Sequence, residues 1–234
     1  QTRLEGTKVR LGLHQVTGLG RKAMDTLQHA RSAGAFKSAN DVIRRVSLSQ
    51  ASWLTLAESG AFDRFIPEGR RAAIWSVLHI SKAAHDSLDL RNSEESPVQF
   101  QKLTSLEKTI ADFKTLGLTT GRHPMLHVRH ELKTDSVLTS TELRNCKNGQ
   151  WVTVGGLVIS RQQPETAKGF VFISLEDETG FVNVIVAPQS YAKNRRLILN
   201  CKCLKVSGTL SCEQGVYNLK GIRFEAIDFN SSEY

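Results

Sequence analysis

From Trp151 onward the apolar residues change their period from 3.6 to 2. The clearest stretch is GFVFISLEDETGFVNVIVA, Gly169–Ala187. Val171, Ile173 and Leu175 alternate with Phe172, Ser174 and Glu176, and Val182, Val184 and Val186 alternate with Asn183 and Ile185. Asp177, Glu178, Thr179 and Gly180 separate the two runs, with glycine supplying a positive φ. This pattern predicts two half-buried strands joined by a tight turn. One side-chain set fills a core. The other, which includes Phe172, faces a ligand, and an outward aromatic suits a stacked base.

The same period predicts strands over 151–162, 169–177, 180–187, 201–212 and 215–227, with a helix over 188–199. Five strands with one helix after the third is the layout of a small Greek-key barrel, the OB-fold. Arg161 and Lys168 flank its first inter-strand loop, and Lys220 and Arg223 lie on its last strand. With Phe172 they form the candidate nucleic-acid-binding set. The acidic run Glu176–Glu178 reads as a solvated turn.

The first half reads as helical. LHQVTGLGRKAMDTLQHA, Leu13–Ala30, sets Gly18-Leu19-Gly20 between two short helical runs, and Ala23, Met24, Leu27 and Ala30 recur at helical spacing. Ser38 and Ser49 are N-cap signals for helices over 39–46 and 50–58, and a further helix is predicted over 68–84. Another, over 103–116, carries an apolar stripe of Leu103, Leu106, Ile110, Phe113 and Leu116. In the Gly-Leu-Gly turn, glycines let backbone amides approach a ligand, and the following helix offers unpaired N–H groups and a positive dipole end. Arg21 and Lys22 occupy that first turn, where cations oppose the dipole. A bound phosphate reverses the penalty. Gly18, Leu19, Gly20, Arg21 and Lys22 are the candidate phosphate contacts, and the segment resembles the helix-hairpin-helix motif, which holds DNA backbone without reading sequence.

Charge follows the same division. Residues 1–91 hold 14 Lys and Arg against 8 Asp and Glu, a net +6 of the chain's +8, and residues 151–234 contribute only +1. A polyanionic partner is favoured for the amino-terminal part. No apolar run approaches the ~20 residues of a membrane span. The four cysteines (Cys146, Cys201, Cys203, Cys212) include no CxxC pair and read as reduced thiols, with Cys201 and Cys203 on one strand face. His123, His127 and His130 share helical spacing but lack the acidic and thiol partners of a metal site. No paired carboxylates for two-metal phosphoryl transfer stand out. The first residue is Gln, so a processed product or a fragment is expected.

Four segments together carry a resemblance: VRLGLHQVTGLG (Val9–Gly20), SGAFD (Ser59–Asp63), TLGLTTGRHPM (Thr115–Met125) and RQQPETAKGFVFISLEDETGFVNVIVAP (Arg161–Pro188). In order and interval they resemble the C-terminal region of bacterial C-family DNA polymerases, alpha-subunit type, closest to the error-prone branch of damage-induced translesion synthesis. Gln163 and Glu165 depart from the family's usual Arg and Gly.

The resemblance implies a DNA-directed DNA polymerase whose catalytic carboxylates, and the Mg²⁺ they use, lie outside this chain. No cofactor is expected in this part. It assigns Gly18–Lys22 to duplex backbone and the barrel around Lys168 and Phe172 to single-stranded template. It also suggests a sliding-clamp contact at Leu88, Asp89 and Leu90, although Ser87 and Arg91 replace the usual Gln and aromatic. Partners are DNA, the clamp and other translesion proteins, with no membrane, in a bacterial cytoplasm near the nucleoid. The expected organisation is multi-domain α+β: a helix-hairpin-helix region over 1–85, a polar linker over 86–99, a helical connector over 100–148, the barrel over 149–228 and a tail over 229–234. Two other readings stay open: a protein-docking platform of the replication machinery, and an RNA-binding barrel.

Overall fold

The helix starts of the first half obey their caps. The Ser38 and Ser49 hydroxyls accept the backbone N–H of Asp41 and Ser52, amides that a first helical turn leaves unpaired. The computed structural model describes residues 2–85, 100–213 and 215–229. The chain forms two compact units, Gln1–Gly121 and Arg122–Tyr234. The stretch 100–148, expected as one connector, is divided between them.

The first unit opens with a hairpin absent from the sequence reading, β1 (Arg3–Glu5) and β2 (Lys8–Arg10). A 3-10 turn, Leu13–Gln15, leads into α1 (Arg21–Ser32), α2 (Ala39–Arg45), α3 (Gln50–Glu58), α4 (Arg70–His85) and α5 (Ser105–Leu116). Val16 and Leu19 enter the core with Leu27 of α1, Ile43 of α2, Trp53 of α3 and Val77 of α4.

Helix α5 inverts its expected orientation. A capping box of Thr104 and Glu107 starts it, and Gly117, left-handed at φ 71°, ends it. Its buried face is Thr109, Asp112 and Thr115, whereas Ile110 and Phe113 are 50% and 38% exposed. Asp112 goes inward to meet Arg70, with Nη2 2.7 Å from its carboxylate. The two threonine hydroxyls donate to the Ser105 and Ala111 carbonyls one turn back, so neither is buried with an unmet donor.

The second unit contains α6 (Met125–Thr134) and a closed barrel of β3 (Trp151–Gln162), β4 (Val171–Asp177), β5 (Gly180–Val186), β6 (Cys203–Glu213) and β7 (Val216–Ala226). The order is β3-β4-β5-β7-β6, and all pairings are antiparallel except β5 with β7. Helix α7 (Pro188–Asn200) joins β5 to β6. This is the five-stranded OB layout expected from the period-2 segments. Val171, Ile173 and Leu175 face the core with Val182, Val184 and Val186. A bulge between Ser207 and Gly208 lets β6 bend across β7. There a Cβ on Gly208 would sit 1.9 Å from the Lys220 carbonyl oxygen.

Two expectations are corrected in this unit. The acidic turn is an internal anchor rather than a solvated one. Asp177 is buried and accepts the backbone N–H of Ser140 (2.6 Å), Thr179 (2.7 Å) and Gly180 (3.0 Å). Burial works to raise its pKa, but these bonds outweigh it and hold the carboxyl below its ordinary value of 3.8. Glu178 takes both arms of the buried Arg129 guanidinium of α6, at 2.5 and 2.9 Å. Cys201, in turn, is not on a strand. Its N–H still bonds the Leu197 carbonyl as the cap of α7, and β6 begins at Cys203. Burial, with Cys201 adding a smaller effect, pushes the Cys203 thiol up to about 12, so it behaves as a small apolar core residue.

Candidate nucleic-acid interface

Between the 3-10 turn and α1 the chain turns over five residues, Val16 to Gly20. Gly18 adopts φ +82°, a conformation costly for any side chain. Leu19 turns inward and is buried, and its N–H bonds the Val16 carbonyl at 3.2 Å. Gly20 is the N-cap of α1, extended and without a side-chain cap. A Cβ built on Gly18 or Gly20 meets nothing within 4 Å, so the turn faces open space. The amides of the first turn are thus presented bare. The same turn contains no acidic residue, and both Arg21 and Lys22 are exposed. From behind, the Thr17 N–H donates to the Thr115 carbonyl at the end of α5 (2.7 Å), which braces the turn against the rest of its unit.

On the barrel, register decides which residues meet. Phe172 is 38% exposed and pairs with Ile185, which pairs across the parallel junction with Lys220. One step along, Ser174, Asn183 and Asn218 form a polar row, with the Ser160 hydroxyl donating to that of Ser174 at 3.2 Å. Further along, Glu176 pairs with Phe181, which is 65% exposed. A groove of about 600 Å³ runs beside it, lined among others by Arg144, Asn183, Val216 and Tyr217. Ile185, Asn183, Asn218, Phe181 and Tyr217 were missing from the sequence-derived site. The alternation itself carried the signal for β5, because Val182, Val184 and Val186 inward puts 181, 183 and 185 outward with Phe172. Pairing with β7 is non-local and left no such signal.

The other barrel candidates separate. Lys168 is exposed at the end of the 3-10 turn Glu165–Ala167, left-handed at φ 48°, three residues ahead of β4. Arg223 is exposed on β7 opposite Ser207. Arg161 is committed internally. Its guanidinium donates to the Ile198 carbonyl at 2.5 Å and to the Cys201 carbonyl, neutralising the carbonyl end of α7. Leu88, Asp89 and Leu90 lie outside the described residues. Among the described residues no group of three His, Cys, Asp or Glu side chains is arranged to hold a metal, and no helix is long and apolar enough to cross a membrane.

Comparison with known proteins agrees with both units. Residues 1–73 match the family model of the helix-hairpin-helix motif, and residues 152–226 match that of an OB-fold nucleic acid binding domain. An error-prone DNA polymerase of Anaeromyxobacter dehalogenans is 37% identical over 216 residues, covering 92% of this chain and 19% of that protein. One from Burkholderia mallei is 38% identical, covering 90% and 19%, and error-prone DNA polymerase 2 of Rhizobium meliloti is 31% identical, covering 92% and 20%. The chain spans about a fifth of the length of these relatives. Among solved structures, asparaginyl-tRNA synthetase from Pyrococcus horikoshii is 17% identical with a TM-score of 0.35 over 39% of this chain and 22% of that one, too distant to carry a functional argument. Over the part of their length that it spans, the chain is similar to the error-prone DNA polymerases, and its two units match the helix-hairpin-helix and OB-fold models.

Proposed function

We propose that this chain is a DNA-holding part of an error-prone polymerase that acts in replication and damage-induced translesion synthesis. The turn at Gly18–Lys22 grips the phosphate backbone of duplex DNA. The barrel face of Phe172, Ile185 and Lys220, with Lys168 and Arg223 at its margins, receives single-stranded template. Nucleotidyl transfer and its Mg²⁺ belong to the parts of such an enzyme outside this chain, and a sliding-clamp contact at Leu88, Asp89 and Leu90, with other translesion proteins, is part of the same proposal.

The observation that carries this reading is the pair Arg21 and Lys22 in the uncapped first turn of α1. Cations there oppose the helix dipole, and a bound phosphate turns the opposition into attraction. The barrel, nearly neutral overall, relies on stacking and on a few cations rather than bulk charge. Titration of the full chain with labelled duplex and with single-stranded DNA over a salt series tests both halves. Duplex affinity is expected to fall steeply with salt and to show little sequence preference. Salt-insensitive binding, or a strong preference for matched single-stranded RNA, would contradict it.

A further inference from the structure

We propose that helix α7 is a second single-strand contact, along which the phosphate backbone runs on from the Phe172 face past Lys168; the proposal rests on the single-strand reading of the barrel above. The first observation is where the charge of the barrel region sits. Residues 151–234 have a net +1, yet α7 holds Lys193, Arg195 and Arg196 and no Asp or Glu, a net +3. The remainder of that stretch holds six Lys and Arg against eight Asp and Glu, a net −2. The near-neutral sum conceals one basic helix on an acidic barrel.

The second observation is that the described residues make no use of these cations. All three are exposed, and among the described residues none of their side chains forms a hydrogen bond or an ion pair. Other cations of the unit are committed: Lys205 to Asp135 and Glu225, Arg129 to Glu178, and Arg161 to the Ile198 carbonyl. No residue three or four positions from any of the three is acidic, so pairing along the helix is closed to them, and Lys193 with Arg196 is a like-charge pair at i, i+3. The helix dipole does not account for them either. The last turn of α7 contains no basic residue, and Arg161 already meets its carbonyl end. A polyanion along the helix converts the repulsion into attraction.

The third observation is placement. Tyr191, Leu197 and Ile198 pack α7 on the barrel core, and the Ser190 hydroxyl donates to the Gly221 carbonyl at 3.3 Å, which fixes the helix's rotation. Its apolar side is thus covered, and Leu199 is the one large apolar residue exposed on it. The outer side offers charge rather than a hydrophobic seat, which suits repeated phosphates. The pair Phe172–Ile185 lies one step from the last pair of the β4–β5 ladder, Val171 with Val186. Just beyond, a Cβ on Gly169 would lie 3.3 Å from the ring of Pro188, the first residue of α7. Lys168 therefore stands at the start of the helix. The loop's one carboxylate, Glu165, is outnumbered by Lys168 and the three helix cations. A nucleotide stacked on Phe172 has Lys168, and then α7, beside its sugar-phosphate chain.

The test uses the full chain and labelled oligothymidylates of about 8 and about 24 nucleotides, the shorter within the site of a single barrel. Affinity is measured across a salt series for three variants: Lys193→Gln/Arg195→Gln/Arg196→Gln, Arg195→Lys/Arg196→Lys, and Phe172→Ala. The neutralised helix is expected to bind the longer strand at least about fivefold more weakly at about 50 mM salt, with the slope of log K on log salt lowered by about 2, and to change the shorter strand less than about twofold. The lysine variant keeps the charges and is expected to retain the wild-type slope. If Phe172→Ala weakens binding but the neutralised helix does not, the α7 contact is overturned and the single-strand reading stands. If the neutralised helix weakens both lengths equally, α7 is no extension of the Phe172 face and the proposal fails. If the lysine variant loses as much slope as the neutral one, the effect is structural and the proposal also fails. If no variant changes affinity, the single-strand reading itself falls.

Discussion

Residues of one type do opposite work in this chain. Arg21 stands free in a helix's first turn, while Arg161 and Arg129 are consumed internally, one by the carbonyl end of α7 and one by Glu178. Arg161→Ala is therefore expected to lower the melting temperature of the second unit while leaving the salt slope of single-strand binding unchanged; a lost slope with an unchanged melt would return Arg161 to the interface. Phe172 behaves the other way. Its 38% exposure and its place opposite Ile185 leave the ring open to a base, so Phe172→Ala is expected to weaken single-strand binding about tenfold with the melt intact. Asp177 sets an acid limit. Its carboxyl is held below 3.8, so its contribution is complete above about pH 4 and is lost as pH falls through the lower folded value. Thermal melts on descending below about pH 4 should show the second unit weakening, and Asp177→Asn should be less stable at about pH 5 and flatter with pH.

At the level of elements, what was legible in the sequence was what local chemistry decides. Serine caps fixed the starts of α2 and α3, and strict alternation fixed β3, β4 and β5 to within two residues. What escaped was what a distant partner decides. The apolar stripe of α5 predicts an inward Ile110 and Phe113, but the buried pairing of Asp112 with Arg70 of α4 sets the helix's rotation instead. The acidic turn looked solvated because Ser140 and Arg129, which occupy it, lie 37 and 49 residues away. The β1–β2 hairpin escaped because three-residue strands give no periodic signal. In the candidate site, Phe172 and the glycine turn were visible as local patterns, whereas the row through Ile185 to Lys220 depends on a parallel junction that no local pattern encodes. Barrel closure depends on one such long-range fit at Gly208. Gly208→Ala drives a methyl into the Lys220 carbonyl and is expected to destabilise the second unit by about 3 kcal/mol or more, read as a lost unfolding transition. A melt within a degree of wild type would mean that β6 does not cross β7 so closely.

For the molecule as a whole, charge and chemistry are divided along the chain. Residues 1–91 carry +6 of the net +8 and include a bare helix start with Arg21 and Lys22, whereas residues 151–234, at +1, present an aromatic and a polar row on a closed barrel. That division predicts two separable modes of DNA binding, a salt-steep one for duplex and a stacking-dominated one for single strands. The central claim is that the Gly18–Lys22 turn holds phosphate. Duplex affinity of Arg21→Ala/Lys22→Ala against salt tests it most directly: the account predicts weaker binding and a log–log slope reduced by about 2, and an affinity and slope equal to those of the unsubstituted chain would contradict it.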